Sequence, residues 1–207
     1  MLDLLTQLAL GFTVALTGTL IPGPLSVFIV TSVVKSKNRS TGLLVALGHC
    51  LVEVAIIGAI VMGLTTALQS TGFQFAANIV GGGALITFGV LSIRGRKKGE
   101  RSIGNDANHS ALLGGVVFSV FNATIPLWWA TTGLMMLSQA LITTTMLGVL
   151  FWVLGHWLAD IVWFSFLGYF VHRGKQYVSG EAGGRIVLLC GVVMISLGLF
   201  YICRSLL

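Results

Sequence analysis

Apolar residues in this chain come in long blocks, not in the short alternations of strands or the narrow stripes of surface helices. Six blocks stand out, at 4–34, 41–67, 74–93, 111–137, 142–171 and 184–203. Each is long enough to cross a bilayer, which takes about 20 helical residues. Several exceed that minimum, so tilts, breaks or extensions past the lipid are expected. The pattern predicts an all-α polytopic membrane protein of six transmembrane helices.

Composition removes the soluble alternative. The 207 residues are 56% hydrophobic and only 9% charged, too few charges to cover a soluble core of this size. The N-terminus MLDLLTQ carries Asp3 where a secretory leader would carry basic residues. The first apolar block is therefore expected to be retained. Cys50, Cys190 and Cys203 sit in apolar segments without paired spacing, which suits packing better than a disulfide framework or a metal site.

The net charge of +6 raises nucleic-acid binding, and its placement argues against it. Lys35, Lys37 and Arg39 follow the first block. Arg94, Arg96, Lys97, Lys98 and Arg101 follow the third, and Arg173, Lys175 and Arg185 the fifth. The loops near 68–73 and 138–141 hold no Lys or Arg. Basic residues thus mark alternate loops, which the positive-inside rule makes cytoplasmic, with both termini outside. The expected location is the cytoplasmic membrane. His109 and His172, beside these basic segments, are expected to be solvated.

The polar stretch 94–110 divides the chain. Residues 1–93 are expected to form one three-helix repeat, 94–110 a basic cytoplasmic linker, and 111–207 a second repeat. Ile21-Pro22 matches Ile125-Pro126, and Gly11 matches Gly115 at the same offset. Three spans per half make the duplication inverted, a construction that recurs in secondary transporters.

Within the blocks, a Gly-His pair followed by an acid occurs twice: Gly48-His49 with Glu53, and Gly155-His156 with Asp160. Four residues apart, each His shares a helix face with its acid. Ionisable groups at membrane depth face a cavity, a partner or a substrate path. Such pairs suit proton coupling, or can hold an ammonium group. They can also serve as a structural His–carboxylate tie, or as ligands of a divalent ion. A divalent-metal carrier using these four residues is the alternative reading, although no dedicated metal site or resident cofactor is expected.

Pro22-Gly23-Pro24 falls inside the first block, where it removes backbone donors and breaks the helix. The amides of Leu25, Ser26 and Val27 then open a second half-helix, a setting suited to a carboxylate. Asn122 and Pro126 occupy the matching region of the fourth span, so the first and fourth helices are expected to be broken. Asn122 suits interhelical bonding or substrate contact alike. Trp128, Trp129 and Trp163 fit core packing, with Trp163 also on nearly the same face as Asp160. Gly81-Gly82-Gly83 lacks the remainder of a phosphate loop and suits close helix packing. No nucleophile–His–acid set stands out, so no enzymatic activity is expected.

Ile-Pro-Gly-Pro in the first span, the two Gly-His-x-x-x-acid segments and FNATIPLWWATTG together resemble the LysE-type translocators, small six-span amino-acid exporters. The resemblance covers essentially the whole chain. That family usually has Asn-Pro at the start of the fourth-span motif; here Asn122 is followed by Ala123, with the proline at Pro126. The resemblance implies export of amino acids or similar metabolites, driven by an ion gradient. A proton is the expected coupling ion. Substrate contacts are expected at Pro22, Gly23, Pro24, Leu25, Ser26, Asn122, Pro126 and Trp163, and ion coupling at His49, Glu53, His156 and Asp160. The expected partners are a small molecule, the bilayer and no nucleic acid. Gly-rich faces pack within or between subunits alike, which leaves a homo-oligomer open.

Overall fold

The computed structural model describes residues 2–20, 23–36, 38–95, 107–122, 124–174 and 181–206. Among them every regular element is helical. In chain order these are α1 (Leu2–Thr19), α2 (Pro24–Ser36), α3 (Thr41–Val61), α4 (Thr65–Gln69), α5 (Thr71–Gly95), α6 (Ala107–Val120) and α7 (Thr124–Trp128). A π-helical turn (Trp129–Gly133), α8 (Leu134–Gly174) and α9 (Glu181–Leu206) follow. Four helical segments are long and apolar enough to cross a membrane, and five if α1 and α2 count as one bent span.

The axes of α1 and α2 differ by 74°. Pro24 opens α2, where a proline's missing amide costs nothing. In the fourth block, α6 ends at Val120 and α7 begins at Thr124. With 14 residues, α6 is shorter than a bilayer crossing. The π-turn then widens the backbone before α8, an irregularity common at functional sites.

The turn expected near 138–141 lies elsewhere. Helix continues through those residues, and the chain bends at Thr145, whose φ of 69° and ψ of −168° leave the helical region. Positive φ is costly for a β-branched residue. The bend follows a run of threonines, Thr143 to Thr145. The first two turn their hydroxyls back onto Gln139 and Ala140 carbonyls and loosen the helix.

Glycines set which helices touch. Helix α1 packs along α8 where Gly11 faces the Trp152 carbonyl and Gly155 faces the Leu8 carbonyl. Helix α3 packs along α6 in the same way, Gly48 against the Leu112 carbonyl and Gly115 against that of Val45. Helices α5 and α9 meet antiparallel. A Cβ on Gly82 would stand 2.6 Å from the Gly198 carbonyl oxygen, and one on Gly89 2.7 Å from that of Gly191. Backbones this close admit no side chain, the small-residue packing that membrane helices use. The triple glycine is thus a packing device at Gly82. Cys50, Cys190 and Cys203 are free.

These contacts place Lys35, Arg39, Arg94, Arg173 and Arg185 at one end of the helices. His172 lies in the last turn of α8, not in a loop. Lys37, Arg96, Lys97, Lys98, Arg101 and Lys175 lie outside the described residues.

Candidate functional site

At 1.5 Å per residue, Glu53 and His156 stand near the middle of their helices. Helical spacing brings His49 Nε2 to 3.3 Å from Glu53 Oε1, and His156 Nε2 to 3.4 Å from Asp160 Oδ2. One cross contact is as close and the other is longer. His156 Nε2 lies 3.2 Å from Glu53 Oε1, and His49 Nε2 lies 3.8 Å from Asp160 Oδ2. The two motifs therefore form one four-residue cluster, every member of it buried.

Other side chains complete it. Trp129 Nε1–H donates to Glu53 Oε1 at 2.8 Å, and the Thr19 hydroxyl donates to Asp160 Oδ1 at 2.6 Å. The Ser119 hydroxyl donates to the Gly115 carbonyl at 2.6 Å, leaving its oxygen to face His49 Nδ1 at 2.9 Å. With the Ser119 hydroxyl turned to Gly115, His49 Nδ1 is the donor; with it turned to the ring, Nδ1 accepts and Nε2 carries the proton. In the first case His49 Nε2 carries a second proton, or the carboxyl facing it does. A proton must lie on that contact. His156 differs: its Nδ1 is buried with no hydrogen-bond partner, and the rings of Trp128, Trp129 and Trp152 lie within 5.6 Å of it. Glu53 Oε2 and Asp160 Oδ2 likewise accept no hydrogen bond.

The cluster forms one wall of a cavity of about 330 Å³, at the lower end of the range for small-molecule sites. The start of α2 forms another, through Gly23, Pro24, Leu25 and Ser26. Val27 does not join them, since its N–H donates to the Gly23 carbonyl at 3.1 Å. Asn122 also lines the cavity, and its side-chain oxygen accepts from the Thr124 N–H at 3.2 Å and the Thr124 hydroxyl at 2.7 Å. It thereby caps α7. Ile125, Trp128, Trp129, Phe164, Leu197 and Tyr201 supply the apolar remainder.

Not every expected residue is there. Pro22 and Ala123 lie outside the described residues. Pro126 is not part of the lining, where Ile125 takes the place beside it. Trp163 packs with the core around Phe164, its ring tilted against that of Phe166 at 6.0 Å between centroids, while Phe164 itself reaches the cavity. Thr19, Ser119 and Tyr201 were not singled out from sequence. A lone hydroxyl in an apolar run, such as Ser119 in VVFSVF, was the available signal.

One donor atom each from His49, Glu53 and Asp160 falls within 4.8 Å of the others, close enough to share a cation. A metal there would compete with the Trp129 and Thr19 donors already seated on the two carboxylates.

The chain was compared with known proteins. No curated protein and no solved structure matches it significantly. The family model for LysE type translocators matches residues 16–205, a stretch that takes in both broken regions and all four residues of the cluster. The chain therefore belongs to the LysE type translocator family, membrane proteins that transport small molecules.

Proposed function

We propose that this protein is a secondary exporter of amino acids or similar zwitterionic metabolites, coupled to protons through the four-residue cluster. The observation that carries the reading is the cavity itself. It joins a helix start to two buried carboxylates, each with an oxygen that accepts no hydrogen bond, Glu53 Oε2 and Asp160 Oδ2. A substrate carboxylate would meet the Leu25 and Ser26 amides, and its ammonium would meet Glu53 or Asp160. A cavity of about 330 Å³ accommodates a small amino acid.

Proton coupling rests on the same cluster. Two carboxyls and two imidazoles within 3.8 Å exchange protons without large movement. An arriving ammonium competes with an imidazolium for the same oxygens, so substrate binding and proton binding exclude one another in part.

The architecture we infer is two inverted three-helix repeats, with α6, α7 and the π-turn together making the fourth span. Its support is the reciprocity of the glycine contacts. Gly11 meets Trp152 as Gly115 meets Val45, and Gly155 meets Leu8 as Gly48 meets Leu112. Rocking of one half against the other would alternate access to the cavity. The basic ends of the helices would face the cytoplasm, with both termini outside. The divalent-metal carrier is the weaker reading, because the carboxylates are already matched by imidazoles and two neutral donors.

Purified protein in liposomes loaded with a panel of radiolabelled amino acids tests this. At least one should exchange across the membrane, and Glu53→Gln should abolish that exchange. Flux of none, or flux untouched by the substitution, would refute the proposal.

A further inference from the structure

A second, smaller cavity of about 30 Å³ lies at the end of the helices opposite the basic residues. Thr124 and Tyr201 line both cavities and form the partition between them. Tyr201 is buried and its hydroxyl meets Thr124. Beyond the partition stand Gln74 and Asn78 of α5 and Arg204 of α9. The roof is held down by α4, whose Gln69 side chain donates to the Ala130 carbonyl of the π-turn at 2.7 Å. Gln74 in turn donates to the Gln69 carbonyl at 2.9 Å.

Arg204 is unlike the other described basic residues. Those lie at the opposite end, where Arg185 pairs with Glu181 at 2.9 Å and Arg173 stacks over Tyr169. Arg204 is exposed and, like Arg39, Arg94 and Arg173, has no carboxylate partner among the described residues; its place at this end of the helices sets it apart. A guanidinium offers forked donors that match a carboxylate, and two carboxamides beside it add neutral donors. The volume suits a carboxylate group and excludes a whole amino acid.

We propose that Arg204, with Gln74 and Asn78, forms a second carboxylate-binding station beyond the Thr124–Tyr201 partition. It holds the departing molecule by its carboxylate before release. The role in release rests on the exporter reading; the binding chemistry does not, and can be tested without transport.

The test is arginine labelling of the purified full chain with phenylglyoxal, read by mass spectrometry, in acetate or in matched chloride. Acetate should slow labelling of Arg204 by about threefold, the mass-action effect of filling two thirds of the sites. Arg39, Arg94, Arg173 and Arg185 should be unaffected. The double variant Gln74→Leu/Asn78→Leu should lose the protection while Arg204 is still labelled. Equal rates in the two buffers overturn the proposal. So does protection of every arginine alike, or protection that survives the double variant and so needs only a bare guanidinium. If acetate protects Arg204 while no amino acid crosses the membrane, the central-site reading falls and the station stands.

Discussion

His49 and His156 occupy the same motif on different helices and meet different neighbours. Ser119 holds His49 through its Nδ1, whereas His156 Nδ1 has no hydrogen-bond partner. The residue of α1 that corresponds to Ser119 of α6, counting from the paired glycines Gly11 and Gly115, is Ala15, which has no hydroxyl. The carboxylates differ as well. Glu53 takes an indole N–H and sits close to both imidazoles, while Asp160 takes a hydroxyl and lies 3.8 Å from His49. The two occurrences of the motif thus differ, one anchored through its imidazole and the other freer. The freer half is the one whose imidazole is surrounded by the rings of Trp128, Trp129 and Trp152.

Deleting each acid puts the largest strain on this comparison. Removing one partner of a buried ion pair costs about 3–5 kcal/mol. Glu53→Ala should fall at the upper end and Asp160→Ala at the lower, because Glu53 carries the closer set of donors. Thermal unfolding in detergent reads the difference, and equal losses would erase the asymmetry between the carboxylates. Trp129→Phe keeps an aromatic ring but removes the N–H to Glu53, a charge-assisted bond worth about 1.5–3 kcal/mol, and part of the buried indole, which adds a smaller cavity cost. Chemical denaturation should place its loss between those of the acid deletions and wild type.

Smaller changes address the imidazoles. Ser119→Ala strands the buried Nδ1 of His49, at about 1–3 kcal/mol. In ¹⁵N spectra of the histidine rings, wild-type His49 should show a hydrogen-bonded Nδ1 that this variant no longer fixes, with His156 unchanged. A change at His156 instead would reverse the assignment. Ala15→Ser should have the smallest effect, below about 1 kcal/mol, since a net hydrogen bond contributes little. It should move the His156 ring signals toward the pattern of His49. Spectra identical to wild type would mean that position 15 does not reach the ring.

Much of this was legible in the apolar blocks. Helix class, the break around Pro22–Pro24 and the shared faces of His49 with Glu53 and His156 with Asp160 follow from local rules of spacing and proline geometry. That the two pairs could share one site was legible too, but the 3.2 Å approach of His156 to Glu53 was not, because it is set by how α3 and α8 pack. The bend at Thr145 was missed for a related reason. No Gly or Pro marks it, and its cause lies in hydroxyl back-bonding along a threonine run. Trp163 was expected at the cavity and Phe164 lines it, a difference of about 100° around the helix. Spacing from Asp160 alone does not resolve that rotation.

The central claim is that the cluster moves protons as substrate crosses. Proteoliposomes enclosing a pH-sensitive dye, given a gradient of a transported amino acid, test it most directly. Wild-type protein should shift the internal pH as the amino acid moves, and Glu53→Gln should leave the pH flat. Amino-acid movement with no pH change in wild type, or an equal pH change in the variant, would contradict the account.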